Sequence, residues 1–192
     1  DIFGQILSLS EDGKYELLSR GHRNPQGLVI VDDQIYITEH GPKGGDELNL
    51  IKKDNNYGWP IYSYGLTYKG EMKYKFTHEE GAISPIYYFR PSIGISQIIF
   101  YQKEEFPLWK NKFVIASLRY SSIYLIDFDF ENQTVKSVER IFIGHRIRDF
   151  DTLPDGKIII TTDDKKIIKL SRSNKDVKDG LTGIEKKYRK GK

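Results

Sequence analysis

The 192 residues are 38% apolar and 30% charged, enough for one hydrophobic core and too balanced for a disordered or fibrous chain. The formal charge of +3 is local, because residues 171–192 hold eight Lys/Arg against three Asp/Glu, a surplus of five that leaves about −2 on the rest. The absence of cysteine excludes disulfides and thiolate metal sites, and no apolar run approaches the roughly 20 residues of a spanning helix.

Taken in chain order, the expected elements are short strands. Glu11-Asp12-Gly13-Lys14 places Asp-Gly where a tight reversal into a strand needs positive φ. Runs rich in Ile, Val, Tyr and Phe then predict strands at Gly27–Val31 and Gln34–Thr38. The stretch Glu39–Tyr68, dense in Gly, Asp, Asn, Pro and Tyr, reads as a long loop system on one face, where a rigid scaffold usually builds its sites. Further strands are expected at Ile86–Phe89, Ile98–Tyr101, Phe113–Ser117, Ile123–Phe128 and Val138–Ile143. Pro154-Asp155-Gly156-Lys157 repeats the first turn ahead of strands at Lys157–Thr162 and Lys166–Leu170. No long amphipathic helix competes. Short antiparallel strands recurring every ~40–50 residues are the pattern of propeller blades, about four of them in this length. A β-sandwich stays open on periodicity alone.

Residues 1–171 therefore form the expected all-β domain and residues 172–192 a flexible basic tail, whose scattered charges bury too little to offset its ordering entropy. Asp176, Asp179 and Glu185 interrupt the positive charges and only Tyr188 offers a stacking face, so the tail is not read as a nucleic-acid arm.

Three segments hold the candidate chemistry. In Gly21-His22-Arg23-Asn24-Pro25-Gln26-Gly27-Leu28, Arg23 offers a planar fork suited to a carboxylate and Asn24 both a donor and an acceptor; a turn whose Arg and Asn satisfy local carbonyls is the ordinary explanation. Glu39-His40-Gly41-Pro42-Lys43-Gly44-Gly45-Asp46-Glu47 sets carboxylates beside a glycine-rich bend with exposed carbonyls, an oxygen-only set that suits Ca²⁺ but also describes a solvated loop. Arg146 and Arg148 flank Ile147, so on a strand both guanidiniums share a face, which calls for an anion between them or for carboxylates such as Asp149, Asp151 or Glu139. Arg119 adds a third charge at a strand end. His22, His40, His78 and His145 match no zinc spacing, and no nucleophile elbow, P-loop or dinucleotide fingerprint is present.

In order, Arg23-Asn24-Pro25-Gln26-Gly27-Leu28, Glu39-His40-Gly41-Pro42 with Gly44-Gly45-Asp46-Glu47, Asn56-Tyr57-Gly58-Trp59-Pro60, Pro91-Ser92-Ile93, Phe106-Pro107-Leu108-Trp109 and Arg146-Ile147-Arg148-Asp149 with Pro154-Asp155-Gly156 resemble the soluble glucose/sorbosone (aldose sugar) dehydrogenases that use pyrroloquinoline quinone (PQQ). The resemblance covers most of residues 3–171. It implies a six-bladed β-propeller, present here as an incomplete propeller of about four blades from the C-terminal part. It implies oxidation of an aldose at the anomeric carbon to the lactone, with PQQ and Ca²⁺ as cofactors and an external electron acceptor. Arg23, Asn24, Arg119, Arg146 and Arg148 would meet PQQ, the carbonyls of Gly41 and Pro42 would hold the Ca²⁺ on it, and Glu47 and Tyr57 would serve a second, structural Ca²⁺. No catalytic residue is assigned, because the family's catalytic histidine is expected upstream, and the segment alone is expected to be inactive. A periplasmic or secreted location and a homodimer are compatible with the resemblance, with no nucleic-acid partner and no membrane span. Two departures stand out: Gly94-Ile95-Ser96-Gln97 replaces the Ala-Pro-Ser-Gly of many members, and 61–69 lacks a match to the remaining ligands of the second calcium. A non-catalytic propeller binding module is the competing reading.

Overall fold

The computed structural model describes residues 3–75 and 81–173, so the tail expected from residue 172 onward lies, beyond Ser173, outside the described residues. Among them the strands are β1 (Gln5–Leu9), β2 (Tyr15–Arg20), β3 (Pro25–Val31), β4 (Gln34–Glu39), β5 (Asp46–Ile51), β6 (Asn55–Asn56), β7 (Tyr87–Phe89), β8 (Ile95–Tyr101), β9 (Lys112–Ser117), β10 (Ser122–Asp129), β11 (Thr134–Phe142), β12 (Ile147–Thr152), β13 (Ile158–Thr162) and β14 (Ile167–Leu170). They form four sheets with orders β1-β2-β6, β3-β4-β5-β7, β8-β9-β10-β11 and β12-β13-β14, antiparallel except for β2 with β6. The all-β class and the incomplete propeller are as the sequence implies. No helix among the described residues is long and apolar enough to cross a membrane.

The β8–β11 sheet shows why its strands read as continuous apolar runs. Side chains alternate across a strand, and this sheet is covered on both faces. Phe113 and Ile115 of β9, with Tyr124, Ile126 and Phe128 of β10, pack toward Tyr36, Leu48 and Phe89 of the preceding sheet. Val114, Ala116, Ile123 and Leu125 pack the other way, against Ile147, Phe150, Ile158 and Ile160 of the following sheet. Each such side chain contributes about 1.5–3 kcal/mol by leaving water. Aromatic contacts fix the geometry further, with Tyr36 and Phe113 centroids 4.8 Å apart and Phe106 stacked on Trp109 at 4.5 Å.

The two Asp-Gly turns are one device, as expected. Gly13 (φ 81°) and Gly156 (φ 87°) take the left-handed conformation. In each turn the aspartate accepts from the backbone N–H of the following lysine and pairs with its ammonium.

One expectation is corrected. Glu39–Tyr68 is not a continuous loop: Glu39 ends β4, and Asp46–Ile51 is β5, paired in register with β4 from Glu39↔Glu47 to Ile35↔Ile51. The polar composition misleads because Asp46 and Asn49 are fully buried and take partners inside the fold.

The strands heading three sheets, β3, β8 and β12, each carry a register shift near their start: Pro25/Gly27, Ile95/Ile98 and Ile147/Asp149. Bulges of this kind re-aim side chains at a strand end. A buried line of hydrogen bonds joins the three sheets at this level. The Gly27 N–H donates to Thr38 Oγ1 (3.1 Å), Thr38 Oγ1 to the Ser96 carbonyl (2.7 Å), and Ser96 Oγ to the Ile147 carbonyl (3.0 Å).

Candidate functional site

Antiparallel order decides where the candidate residues lie. In each of the three fully antiparallel sheets the start of the first strand and the turn between the second and third strands fall at the same end. That end collects Arg23 and Asn24 ahead of β3 and the His40–Gly45 bend between β4 and β5. It also collects Arg119 in the β9–β10 turn and Arg146 and Arg148 at the head of β12.

Around the bend, Glu39 is the hub. Its Oε1 is 2.9 Å from His22 Nδ1 and accepts from Asn49 Nδ2 at 2.8 Å, while its Oε2 accepts the Arg23 backbone N–H at 2.8 Å. His22 Nε2 lies 2.8 Å from Ser19 Oγ, and the ring stacks on Tyr57 at 4.5 Å. Ser19, His22 and Glu39 thus have the spacing of a nucleophile relay. Ser19 is 1% exposed and neither it nor His22 lines the neighbouring cavity, so the trio is a satisfied polar core.

Arg23 donates Nη1 to the His40 carbonyl (3.1 Å) and Nη2 to the Tyr68 hydroxyl (3.0 Å), with its Cζ 5.3 Å from the Trp59 ring centre. Its Nε is buried without a partner. Asn24 is exposed and its Oδ1 accepts from Gln26. Gly41 could be no other residue, since a Cβ there would stand 2.1 Å from the Gly44 carbonyl oxygen and 2.3 Å from that of Gly45. Pro42 is buried beside it. Glu47 is pushed up to about 8 by burial first and then by Glu39 and Asp46, with Asn49 opposing. The Tyr57 hydroxyl is engaged by β5, donating to the Leu50 carbonyl and accepting from the Lys52 N–H. A small cavity is lined by Arg23, Glu39, His40, Gly41, Glu47 and Tyr57, with Trp59 at its rim.

The second group is exposed. Arg146 Nε and Arg148 Nε each donate to Asp163 at 2.9 Å, and Arg148 Nη2 lies 2.7 Å from the same carboxylate. Both guanidiniums share a face, as their spacing predicts. Their common partner is Asp163 in the β13–β14 turn, not Asp149, Asp151 or Glu139, which only the folded sheet brings near. The Asp163 carboxyl is held below the usual carboxylate range by Arg146 and then Arg148. Arg119 donates Nη1 to the Ser92 carbonyl (3.3 Å) and lies 5.5 Å from the Tyr120 ring centre.

Arg119, Arg146 and Arg148 do not line the bend cavity. Both groups act on the charge of His40, whose imidazole is driven down by burial, against the pull of Asp46, and further down by Arg23 and Arg148. Among the described residues neither Arg23 nor Arg119 is ion-paired, and no cluster of three or more His, Asp or Glu is placed to hold a metal ion. A Ca²⁺ at the bend would therefore depend on carbonyl oxygens with few carboxylates.

Comparison with known proteins defines the class. The glucose/sorbosone dehydrogenase family model matches residues 7–170, and the chain belongs to this family. Aldose sugar dehydrogenase YliI of Escherichia coli (strain K12) is 33% identical over 176 residues, covering 86% of this chain and 47% of that protein. Quinoprotein glucose dehydrogenase B of Acinetobacter calcoaceticus is 34% identical over 92 residues, covering 41% of this chain and 19% of its own length. A crystal structure of a glucose dehydrogenase superposes with a TM-score of 0.81 at 32% identity, covering 88% of this chain and 55% of the other. The chain thus spans about half the length of YliI and of this glucose dehydrogenase.

Proposed function

We propose that this chain supplies the cofactor-seating part of a PQQ- and calcium-dependent aldose dehydrogenase. One observation carries the reading: four arginines distant in sequence are gathered at one end of the sheets, and two of them, Arg23 and Arg119, have no carboxylate partner among the described residues. That charge imbalance suits a polycarboxylate ligand. The orphaned Arg23 Nε and the cation-poor setting of Glu47 fit a site that gains an anion and a divalent cation together.

PQQ supplies a two-electron acceptor for the hydride leaving the anomeric carbon of an aldose, and loss of the anomeric hydroxyl proton to a base leaves the lactone. Arg23, Asn24, Arg119, Arg146 and Arg148 would hold its carboxylates and oxygens. Gly41 and Pro42 would offer carbonyls to Ca²⁺, and Glu47 with Tyr57 would serve a second ion. The structural share of the chemistry is orientation and charge, with Trp59 beneath the Arg23 guanidinium and the Tyr68 hydroxyl accepting from it. No histidine of the chain is given the role of base. Turnover would need an external electron acceptor, and a periplasmic or secreted location, with a homodimer compatible, belongs to the same proposal.

A non-catalytic binding module is favoured by one feature, the neutralisation of Arg146 and Arg148 by Asp163. Titration with PQQ and Ca²⁺, followed by tryptophan fluorescence and dye reduction with several aldoses, separates the two. Saturable PQQ binding that requires Ca²⁺, in the complete natural protein and in the 192-residue chain, supports the dehydrogenase, with dye reduction only in the former. Failure of both to bind PQQ returns the chain to the binding module.

A further inference from the structure

We infer that Asp46 is a positioning residue that couples the Gly41–Pro42 bend to Arg119, joining the metal side and the arginine side of the site. The inference rests on the dehydrogenase reading only for its ligands; the coupling itself is geometric. Asp46 opens β5 and is fully buried. Its Oδ1 accepts the Gly41 N–H at 3.2 Å, and its Oδ2 accepts the Ile95 N–H at 3.0 Å. The Ser92 hydroxyl lies 2.7 and 2.8 Å from the two oxygens. The carboxylate of one sheet is thus held by the bend of its own sheet and by the segment leading into β8 of the next.

That segment is what Arg119 rests on. Ser92 offers its carbonyl to Arg119 Nη1 (3.3 Å), Ile93 its carbonyl to the Arg119 N–H (3.0 Å), and Gly94 its carbonyl to the Leu118 N–H (2.8 Å). Ser117 Oγ also donates to the Ile93 carbonyl at 2.6 Å. The His40 Nδ1 lies 4.0 Å from Asp46 Oδ1.

A fully buried carboxylate held by neutral donors is tolerated only while every donor stays in place. Displacing the bend would strip Oδ1 of one of its two donors, and displacing the Ser92 segment would strip Oδ2 of both and Oδ1 of the other. Neither loop can therefore shift alone, and the bend carbonyls and the Arg119 guanidinium keep a fixed relation. Neither Asp46 nor Ser92 need touch a ligand for this to hold.

The test uses ¹⁵N-labelled complete protein, reading the Gly41 amide and the Arg119 Nε–H, together with PQQ affinity by fluorescence and Ca²⁺ affinity by calorimetry. Asp46→Asn is expected to move both signals and to weaken both affinities by about tenfold, the scale of a lost charge-assisted hydrogen bond. Ser92→Ala, the milder change, is expected to move both signals by a smaller amount, and to weaken PQQ by about fivefold and Ca²⁺ by less. Should Asp46→Asn fail to fold, Ser92→Ala decides. An Arg119 signal unmoved in Ser92→Ala, moved while the Gly41 amide stays in place, or moved with no change in PQQ affinity, overturns the coupling. A wild-type protein that ignores PQQ overturns the dehydrogenase reading, while the two signals still decide the coupling.

Discussion

At the bend between β4 and β5, the carboxylates of Glu39, Asp46 and Glu47 lie in packed interior, and two of them are tied by hydrogen bonds to the start of β3 and to the segment before β8. At the head of β12, two guanidiniums stand in solvent and share one aspartate. Burial makes the first region over-determined, since each oxygen of Glu39 and Asp46 has an assigned donor and no water to replace it. Exposure leaves the second adjustable, because solvent screens the pairs and can re-solvate any partner lost. The same chain thus builds one half of its candidate site for geometry and the other for charge.

Three substitutions test how deep that difference runs. Glu39→Ala strands the buried His22 and Asn49 donors and the Arg23 N–H, and is expected to cost about 3–5 kcal/mol in urea unfolding. Gly41→Ala forces a methyl against the Gly44 and Gly45 carbonyls and is expected to cost about 1–3 kcal/mol, with Ca²⁺ affinity falling alongside. Arg148→Gln is expected to change stability by less than about 1 kcal/mol while weakening PQQ binding. It should also raise the Asp163 midpoint, measured by carboxyl NMR, toward the ordinary range. The sign follows from the depressed folded-state value of Asp163: its contribution is present above the usual carboxylate range and is lost as pH falls through that lowered midpoint. A Glu39→Ala loss no larger than that of Arg148→Gln would erase the contrast.

Where strands are buried on both faces, as β9 and β10 are, their continuous Ile, Val and Phe runs made them legible from sequence. β12 was absent from the expected strands, although the alternation of Arg146 and Arg148 already put both guanidiniums on one face of any strand formed there. β5 was not legible either, because Asp46 and Asn49 carry the composition of a loop and are buried only by virtue of a donor dozens of residues away for Asp46 and an acceptor on the neighbouring strand for Asn49. Asp163 was missed for a related reason: its pairing with both arginines is a product of the β12–β13–β14 hairpins, and no local signal marks it. The second-calcium assignment of Tyr57 gains no support from its hydroxyl, which is committed to β5.

The line of bonds from Gly27 through Thr38 and Ser96 to Ile147 pins three ribs of a fan at one height. A rib cannot slide by a single residue without breaking its pin, so Arg23, Arg119 and Arg148 are kept on one level however their side chains swing. Drift of the whole platform is thereby traded for local swivelling of individual tips.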